Sequence, residues 1–193
     1  MTTPSPEKNL LDTPADALER LYQAISHDRK TGWLHQPVMI GIHTGGVWIA
    51  EQMHQRLGLE EPLGSLDISF YRDDFDTAGL HPTVRPSHLP FSIEGRDVIL
   101  VDDVLYTGRT VRAALNEIFD YGRPNKVGLA VLYQRDGREL PICAQWAGQN
   151  LTLPLGTHIK LTGPTPLAVS LQSEQNTSTQ TDSPLVSTGD HTE

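Results

Sequence analysis

The stretch over residues 98–110 constrains the fold and the chemistry of this chain more than any other. Four apolar residues, 98–101, run directly into Asp102 and Asp103, and the turn Tyr-Thr-Gly-Arg-Thr follows at 106–110. A short apolar run is typical of a buried strand, and ligands of open α/β sheets bind beyond the carboxyl ends of such strands. The turn offers hydroxyls, a glycine and the amides of a helix N-terminus, which suit a phosphate monoester. The stretch therefore predicts a site for a phosphorylated sugar rather than a strand that merely ends in two solvated acids.

Length and composition favour one globular domain around this site. The chain has 193 residues, of which 37% are hydrophobic and 20% charged, and one domain typically takes about 100–200 residues. No run approaches the roughly 18 apolar residues of a membrane span, and no signal peptide is recognisable. The single cysteine, Cys143, has no partner for an internal disulfide or a cysteine-based zinc cluster. We therefore expect a cytoplasmic protein.

The net charge of −9 is unfavourable for a protein that must bind nucleic acid through its phosphates. Part of this charge is concentrated near the end of the chain, since residues 171–193 include four acids and neither lysine nor arginine. Residues 1–170 are accordingly less acidic than the net charge of the whole chain suggests. Local basic patches on this part of the chain are therefore compatible with the net charge.

The pattern of elements predicts an α/β fold with three sections. Residues 1–12 are expected to form a loose N-terminal arm, residues 13–169 the domain, and residues 170–193 a disordered polar, acidic tail. The tail has too little apolar content to offset the entropy of ordering it. No internal repeat or long linker divides the domain.

Within the domain, we predict strands that alternate with helices. The first helix begins at Pro14 with Thr13 as its cap, and a buried strand at 38–42 leads through a turn at 43–46 into a helix that ends near Leu57. A strand near residues 66–70 opens into a polar segment, read as a mobile flap. A helix follows the stretch described above, from about Thr110 to Tyr121. Further strands are expected at 127–133, near 151 and near 159, with a small cap built after residue 135.

The residues of the site resemble those of the type I phosphoribosyltransferases, which use 5-phosphoribosyl-1-pyrophosphate (PRPP). The sequence Val-Asp-Asp-Val-Leu-Tyr-Thr-Gly-Arg-Thr at 101–110 is similar to the branch of that family that combines uracil phosphoribosyltransferase activity with regulation of pyrimidine operons. Three more blocks carry the resemblance: Gly-Ile-His-Thr-Gly-Gly at 41–46, Ile-Ser-Phe-Tyr-Arg-Asp-Asp at 68–74 and Arg-Glu-Leu-Pro-Ile at 138–142. The resemblance covers residues 12–168. It implies a central, mainly parallel sheet flanked by helices, with a small hood and a flexible flap.

The resemblance also implies a reaction and a set of residues for it. Uracil attacks C1 of PRPP to give UMP and pyrophosphate, through a transition state with oxocarbenium character. The implied catalytic residues are Asp102 and Asp103, which would hold the ribose hydroxyls and the Mg²⁺ cofactor, and Arg72, which would close over pyrophosphate. The implied substrate contacts are His43, Thr44, Gly45 and Gly46 at the pyrophosphate, and Val104, Leu105, Tyr106, Thr107, Gly108, Arg109 and Thr110 at the 5-phosphate.

Two positions refine what the resemblance implies. Purine-salvage relatives typically have an acid where this chain has Tyr106, which favours a pyrimidine base, read by backbone groups near residues 132–136. Many members have Lys-Thr-Arg-Gly at the pyrophosphate turn, whereas this chain has His-Thr-Gly-Gly at 43–46 and so loses one fixed positive charge and exchanges another for an imidazole. This departure keeps two alternatives open: a non-catalytic sensor of uridine nucleotides, and a phosphoribosyltransferase for another base without a regulatory role.

The family further implies homo-oligomers and binding of pyrimidine-operon leader mRNA when UMP is present. A charged helix face is more often simply solvated, so the RNA contacts are weaker expectations than the sugar-phosphate site. The candidates are Arg20, His27, Arg29, Lys30, Arg135, Arg138 and Lys160. On this reading, reversing Arg29 and Arg138 to Glu should weaken RNA binding and leave UMP formation intact.

Overall fold

Apolar strands alternate with helices along the chain, and the computed structural model describes them for residues 11–68 and 86–173. The predicted flap and Arg72, the arm before residue 11 and the tail after residue 173 lie outside the described residues. The helices are α1 (Pro14–Lys30), α2 (Gly45–Leu57) and α3 (Arg109–Tyr121). The strands are β1 (Val38–Ile42), β2 (Gly64–Leu66), β3 (Asp97–Leu105), β4 (Lys126–Arg135), β5 (Trp146–Leu151), β6 (Thr157–Thr162) and β7 (Ala168–Ser173).

Five of the strands form one parallel sheet in the order β2-β1-β3-β4-β5, with β3 at its centre. Side chains of β3 alternate between the two faces, as a pleated strand requires. Ile99 and Val101 pack in the core with α1 and α2, whereas Val98 and Leu100 pack in the core with α3. Helices therefore cover both faces, and the predicted α/β class is confirmed.

The start of α1 follows the prediction from its sequence. Thr13 is the N-cap, and its hydroxyl accepts a hydrogen bond from the Asp16 amide at 3.2 Å. Leu18, Leu21 and Ile25 are buried against the sheet, as their three- and four-residue spacing indicates. No helix in residues 11–68 and 86–173 is long and apolar enough to cross a membrane.

Strands β6 and β7 form a separate antiparallel hairpin, which corresponds to the small cap expected after residue 135. Leu161 is buried in the core on the α1 and α2 face, and Ile159 and Val169 pack against it. A Cβ on Gly163, in the hairpin loop, would lie 3.0 Å from the ring of Trp48 on α2. The hairpin is therefore held against α2.

Three boundaries differ from the predictions. β2 ends at Leu66, whereas β3 continues through the aspartates to Leu105, because it pairs with β4 along almost its whole length. β7 extends to Ser173, four residues past the predicted end of the domain at 169. Residues 170–173 were assigned to the tail because the chain after them is polar, but residues Ala168 to Ser173 all pair with β6.

Candidate active site

Two turns meet at the carboxyl edge of the sheet, because β1 and β3 are parallel neighbours that end on the same side. The turn at 43–46 follows β1 and opens α2, and the turn at 106–110 follows β3 and opens α3. This edge also carries Asp102 and Asp103. The tertiary structure therefore brings together the two blocks on which the sequence prediction depends.

Glycines at the start of α2 allow that helix to lie directly against β3. A Cβ on Gly45 would be 2.4 Å from Oδ2 of Asp103, and a Cβ on Gly46 would be 2.5 Å from the carbonyl oxygen of Val101. Real side chains essentially never approach so closely. His43 is anchored on the other side, where its amide donates to the Leu66 carbonyl at 2.9 Å. A side chain at position 46 would have to displace the backbone of β3, whereas one at position 45 would meet the side chain of Asp103.

The two aspartates have different surroundings. Asp103 is half-buried and faces α2, and its Oδ1 accepts the amide of Val104 at 3.0 Å. Alternation along β3 puts Asp102 on the opposite face, where it is 5% exposed. Its Oδ1 accepts the amide of Asp103, also at 3.0 Å. The adjacent acids therefore do not form one pair on one face, and Asp103 is the one beside the turn at 43–46.

The turn at 106–110 has the geometry of an anion-binding helix start. Gly108 has φ +94°, a conformation that suits glycine, and its carbonyl accepts the amide of Arg112 in the first turn of α3. The Thr107 hydroxyl accepts the amide of Arg109 at 3.3 Å. Amides at a helix N-terminus carry partial positive charge, so this turn can bind a phosphate group.

Residues 135–142 pack against that turn from outside the sheet. The amides of Glu139 and Leu140 donate to the Thr107 carbonyl at 3.0 and 3.2 Å, and the guanidinium of Arg138 donates to the Tyr106 carbonyl. Arg109 and Glu139 form an ion pair at 2.7 Å. In the sequence, residues 138–142 were recognised as part of the resemblance, and Arg138 was also a candidate RNA contact. Nothing in the spacing of residues 138–142 indicated that they contact the turn at 106–110.

Tyr106 itself is enclosed by this segment. The guanidinium of Arg135 stacks on its ring at 4.1 Å from the centroid, and a Cβ on Gly137 would be 2.5 Å from its Cε2. Arg135 is only 4% exposed and donates to the carbonyls of Thr157 and Asp136. The predicted RNA contact at Arg135 is therefore wrong, because this cation is an interior group that joins β4 to the hairpin.

The remaining RNA candidates lie in two regions. On α1, Arg20 forms an ion pair with Asp12 at 2.6 Å, and Arg29 donates to the Leu57 carbonyl at 2.5 Å. The exposed candidates are Arg20, His27, Lys30 and Lys160, whereas Arg29 is half-buried. Arg138 is half-buried, and burial lowers the pKa of its guanidinium. The expectation that Arg138 can be reversed without affecting UMP formation does not fit its contact with the Tyr106 carbonyl in the turn at 106–110.

Among the described residues, the acids that β3 offers to a metal ion at this edge are Asp102 and Asp103. Across the described residues, no three or more His, Cys, Asp or Glu side chains are grouped so as to hold an ion. Asp102 and Asp103 can therefore supply at most part of a coordination shell, which suits Mg²⁺ completed by substrate phosphates and water.

In the segment expected to read the base, residues 132–136, the Asp136 amide already donates to the Leu151 carbonyl at 3.1 Å.

Comparisons with known proteins agree with this geometry. A family model described as the phosphoribosyl transferase domain matches residues 7–154. The bifunctional protein PyrR of Nitrosococcus oceani is 61% identical over 140 residues, covering 72% of this chain and 79% of that protein. The bifunctional protein PyrR of Pseudomonas paraeruginosa is 53% identical over 159 residues, covering 82% and 94%.

Solved structures with the same fold are more distant in sequence. A hypoxanthine-guanine phosphoribosyltransferase of Bacillus anthracis superposes with a TM-score of 0.58 at 18% identity, covering 75% of this chain and 84% of that one. A hypoxanthine phosphoribosyltransferase of Staphylococcus aureus gives 0.57 at 20% identity, covering 75% and 78%. At such identities the likeness concerns the fold alone.

Proposed function

The chain belongs to the phosphoribosyltransferase family, in the group of the bifunctional proteins PyrR, and from that premise we propose that it transfers the phosphoribosyl group of PRPP to uracil. In this reaction a bond forms between N1 of uracil and C1 of the ribose, the bond from C1 to pyrophosphate breaks, and N1 releases its proton. The observation that carries the proposal is the contact between Asp103 and the glycine turn at 43–46, beside the helix start at 106–110. Carboxylates and two anion-binding turns at one sheet edge match the parts of PRPP.

The turn at 106–110 holds the 5-phosphate in this proposal. Its backbone amides and the hydroxyls of Thr107 and Thr110 donate to phosphate oxygens, and the N-terminus of α3 adds its partial positive charge. Arg109 is paired with Glu139, so its charge is already partly balanced. Recognition of the phosphate therefore relies on backbone groups.

Asp102 and Asp103 act on the ribose. Their oxygens accept hydrogen bonds from the ribose hydroxyls, and their negative charge stabilises positive charge that develops at C1 as pyrophosphate departs. Asp103 lies nearer to the turn at 43–46, so it is the acid closer to the leaving group. Asp102 accepts the Asp103 amide and is expected to position its neighbour as well.

The turn at 43–46 binds pyrophosphate through backbone groups and His43. Glycines at 45 and 46 let the start of α2 lie directly against β3, beside Asp103. Arg72, outside the described residues, is proposed to add a positive charge when the flap closes and excludes water. With His43 and Gly45 in place of the more common lysine and arginine of this turn, we expect slow turnover.

Mg²⁺ is the cofactor that we propose for this site. The acids on β3 fit it, because this ion commonly binds through one or two carboxylates together with substrate phosphates. When bound, Mg²⁺ neutralises charge on the departing pyrophosphate. Asp103 would hold it, since this carboxylate lies at the pyrophosphate turn.

For the regulatory role, we propose that UMP binding is read out through leader mRNA. The proposed exposed contacts are Arg20, His27, Lys30 and Lys160, with the half-buried Arg29 beside them. We also propose that the protein is a homo-oligomer in the cytoplasm, as its family implies. A non-catalytic sensor of uridine nucleotides is the second candidate function. The neutral glycine at position 45 favours it, because this position lacks the fixed charge that many catalytic members have.

The deciding experiment measures UMP formation from uracil and PRPP with Mg²⁺ at several pH values, together with UMP binding. We expect UMP to form with uracil and not with hypoxanthine, guanine or adenine. In the variant Asp103→Asn, kcat/KM should fall by about 100-fold, because charge stabilisation at C1 is lost. Asp120→Asn, an exposed position on α3, is the matched control and should behave like the wild type.

Each other outcome has a distinct meaning. UMP binding without product formation would reject the enzyme and support the sensor. Preference for a purine base would reject uracil and the argument from Tyr106. If neither PRPP nor UMP binds, the site itself is misassigned.

A further inference from the structure

Three consecutive residues hold the two carbonyls that precede Gly108. The guanidinium Nη1 of Arg138 donates to the Tyr106 carbonyl, while the amides of Glu139 and Leu140 donate to the Thr107 carbonyl at 3.0 and 3.2 Å. These contacts join the turn after β3 to a segment about 30 residues further along the chain. They act on the backbone of the turn and leave its hydroxyls to other partners.

Fixing these carbonyls also fixes the amides that follow them. In a trans peptide unit the C=O and the N–H point in opposite directions because the unit is planar. The bonds from Tyr106 to Thr107 and from Thr107 to Gly108 are trans, since the cis bonds in the described part of the chain lie elsewhere. Arg138 therefore turns the Thr107 amide away from the 135–142 segment, and Glu139 and Leu140 do the same for the Gly108 amide.

We propose that Arg138 is a positioning residue of the phosphate-binding turn, which orients the Thr107 amide toward the 5-phosphate without touching the substrate. This inference rests on the proposed function. It assigns Arg138 to the ribose-phosphate site instead of an RNA surface. The variant Arg138→Glu should accordingly impair PRPP binding, in contrast to the expectation from sequence.

The surroundings of Arg138 suit such a role. Its Nη2 lies 3.5 Å from the Arg135 carbonyl, and its Cδ would be 3.6 Å from a Cβ on Gly108, so the side chain lies along the turn. Burial lowers the pKa of the guanidinium, and hydrogen bonds are electrostatically stronger in such partly desolvated surroundings. The exposed ion pair between Arg109 and Glu139 is a further contact between the turn and residues 138–140.

The test compares steady-state kinetics and ribose 5-phosphate binding of Arg138→Met with the wild type. The amides bind the phosphate equally in the ground state and the transition state, so their loss should raise KM for PRPP and leave kcat nearly unchanged. We expect KM to rise about tenfold, with a similar loss of ribose 5-phosphate affinity, for one hydrogen bond to a charged donor. Arg123→Met, which removes an exposed arginine beyond the other end of α3, should change neither value.

A lysine at position 138 can still donate to the Tyr106 carbonyl, so Arg138→Lys should restore most of the affinity for PRPP. If Arg138→Met does not fold, Arg138→Lys alone provides the test. A KM for PRPP of Arg138→Lys more than about tenfold above that of the wild type would then overturn the proposal. A lowered melting temperature with unchanged KM in Arg138→Met, or a fall in kcat alone, overturns it as well. Ribose 5-phosphate binding needs no turnover, so a wild type that binds it but forms no UMP defeats the enzyme proposal alone. A wild type that binds neither ribose 5-phosphate nor PRPP defeats both the enzyme proposal and the proposal for Arg138.

Discussion

The carboxylate of Asp103 occupies the space that a side chain on Gly45 would need. Oδ2 of Asp103 is 2.4 Å from the position of a Cβ built on Gly45, and the carboxyl carbon is 2.7 Å from it. One residue lies at the end of β3 and the other at the start of α2. This contact therefore connects the proposed ribose site directly to the proposed pyrophosphate turn.

Because of this contact, Gly45→Ala should damage activity more than stability. The added methyl group must displace the Asp103 carboxylate, and a shift of about 1 Å at a reacting centre can cost roughly 100-fold in rate. We expect kcat/KM for UMP formation to fall by about that factor. Gly95→Ala is the control: its φ of +67° makes the change cost about 1 kcal/mol of stability, but Gly95 lies next to the start of β3, at the far edge of the sheet. Equal activity losses in the two variants would contradict the prediction.

Tyr133 should make the stability of the protein depend on alkaline pH. Its hydroxyl donates to the Asp12 carbonyl at 2.8 Å, and burial raises its pKa from 10.0 to about 12. A raised pKa means that the folded state keeps the proton longer than the unfolded state, so the contribution is complete below pH 10 and is lost as the pH rises toward 12. Between these values the wild type should lose up to about 2 kcal/mol more than Tyr133→Phe.

Urea unfolding at a series of pH values measures this difference. Near neutral pH, Tyr133→Phe should be less stable than the wild type by about 1 kcal/mol, for one lost hydrogen bond. Tyr121→Phe, at an exposed position, should follow the wild type throughout. If the stability gap between Tyr133→Phe and the wild type does not narrow above pH 10, the raised pKa is refuted.

Arg135 should contribute to folding rather than to RNA recognition. Arg135→Met leaves the Thr157 carbonyl without its buried donor and removes the cation from the Tyr106 ring. We expect a loss of about 2 kcal/mol in the free energy of unfolding, measured in urea. Lys160→Met, on the same hairpin but exposed, should cost less than about 0.5 kcal/mol. Comparable losses in both would show that Arg135 has no special structural role.

RNA binding should depend on the exposed cations near the end of α1. Lys30→Glu is expected to weaken binding to a pyrimidine-operon leader transcript and to reduce the salt dependence by about one phosphate contact. UMP formation should be unchanged, because Lys30 lies on α1 and far from β3 in sequence. Filter binding at several salt concentrations measures the slope, and a transcript that does not bind at moderate salt would end the regulatory proposal.

The parts of the candidate site could be predicted from the sequence because each of them is local. The apolar run at 98–101, the acids after it and the glycine of the following turn each have a short-range signature that predicts strand, edge and helix start. The family and the fold were confirmed on this basis. Errors arose where residues assigned to the polar tail form a strand by pairing, as in β7, and where a cation predicted to contact RNA is buried, as with Arg135.

The amino-acid sequence by itself determined which chemical groups the protein possesses and on which elements they lie, since helix starts, buried strands and turns depend on neighbouring residues. Only the tertiary structure decided which groups meet. Asp103 rests on Gly45 because two strands distant in sequence pair in parallel, and Arg138 reaches Tyr106 because the chain returns to the same sheet edge after β4. Such contacts depend on register and packing across long sequence separations, which leave no periodic signal in the chain.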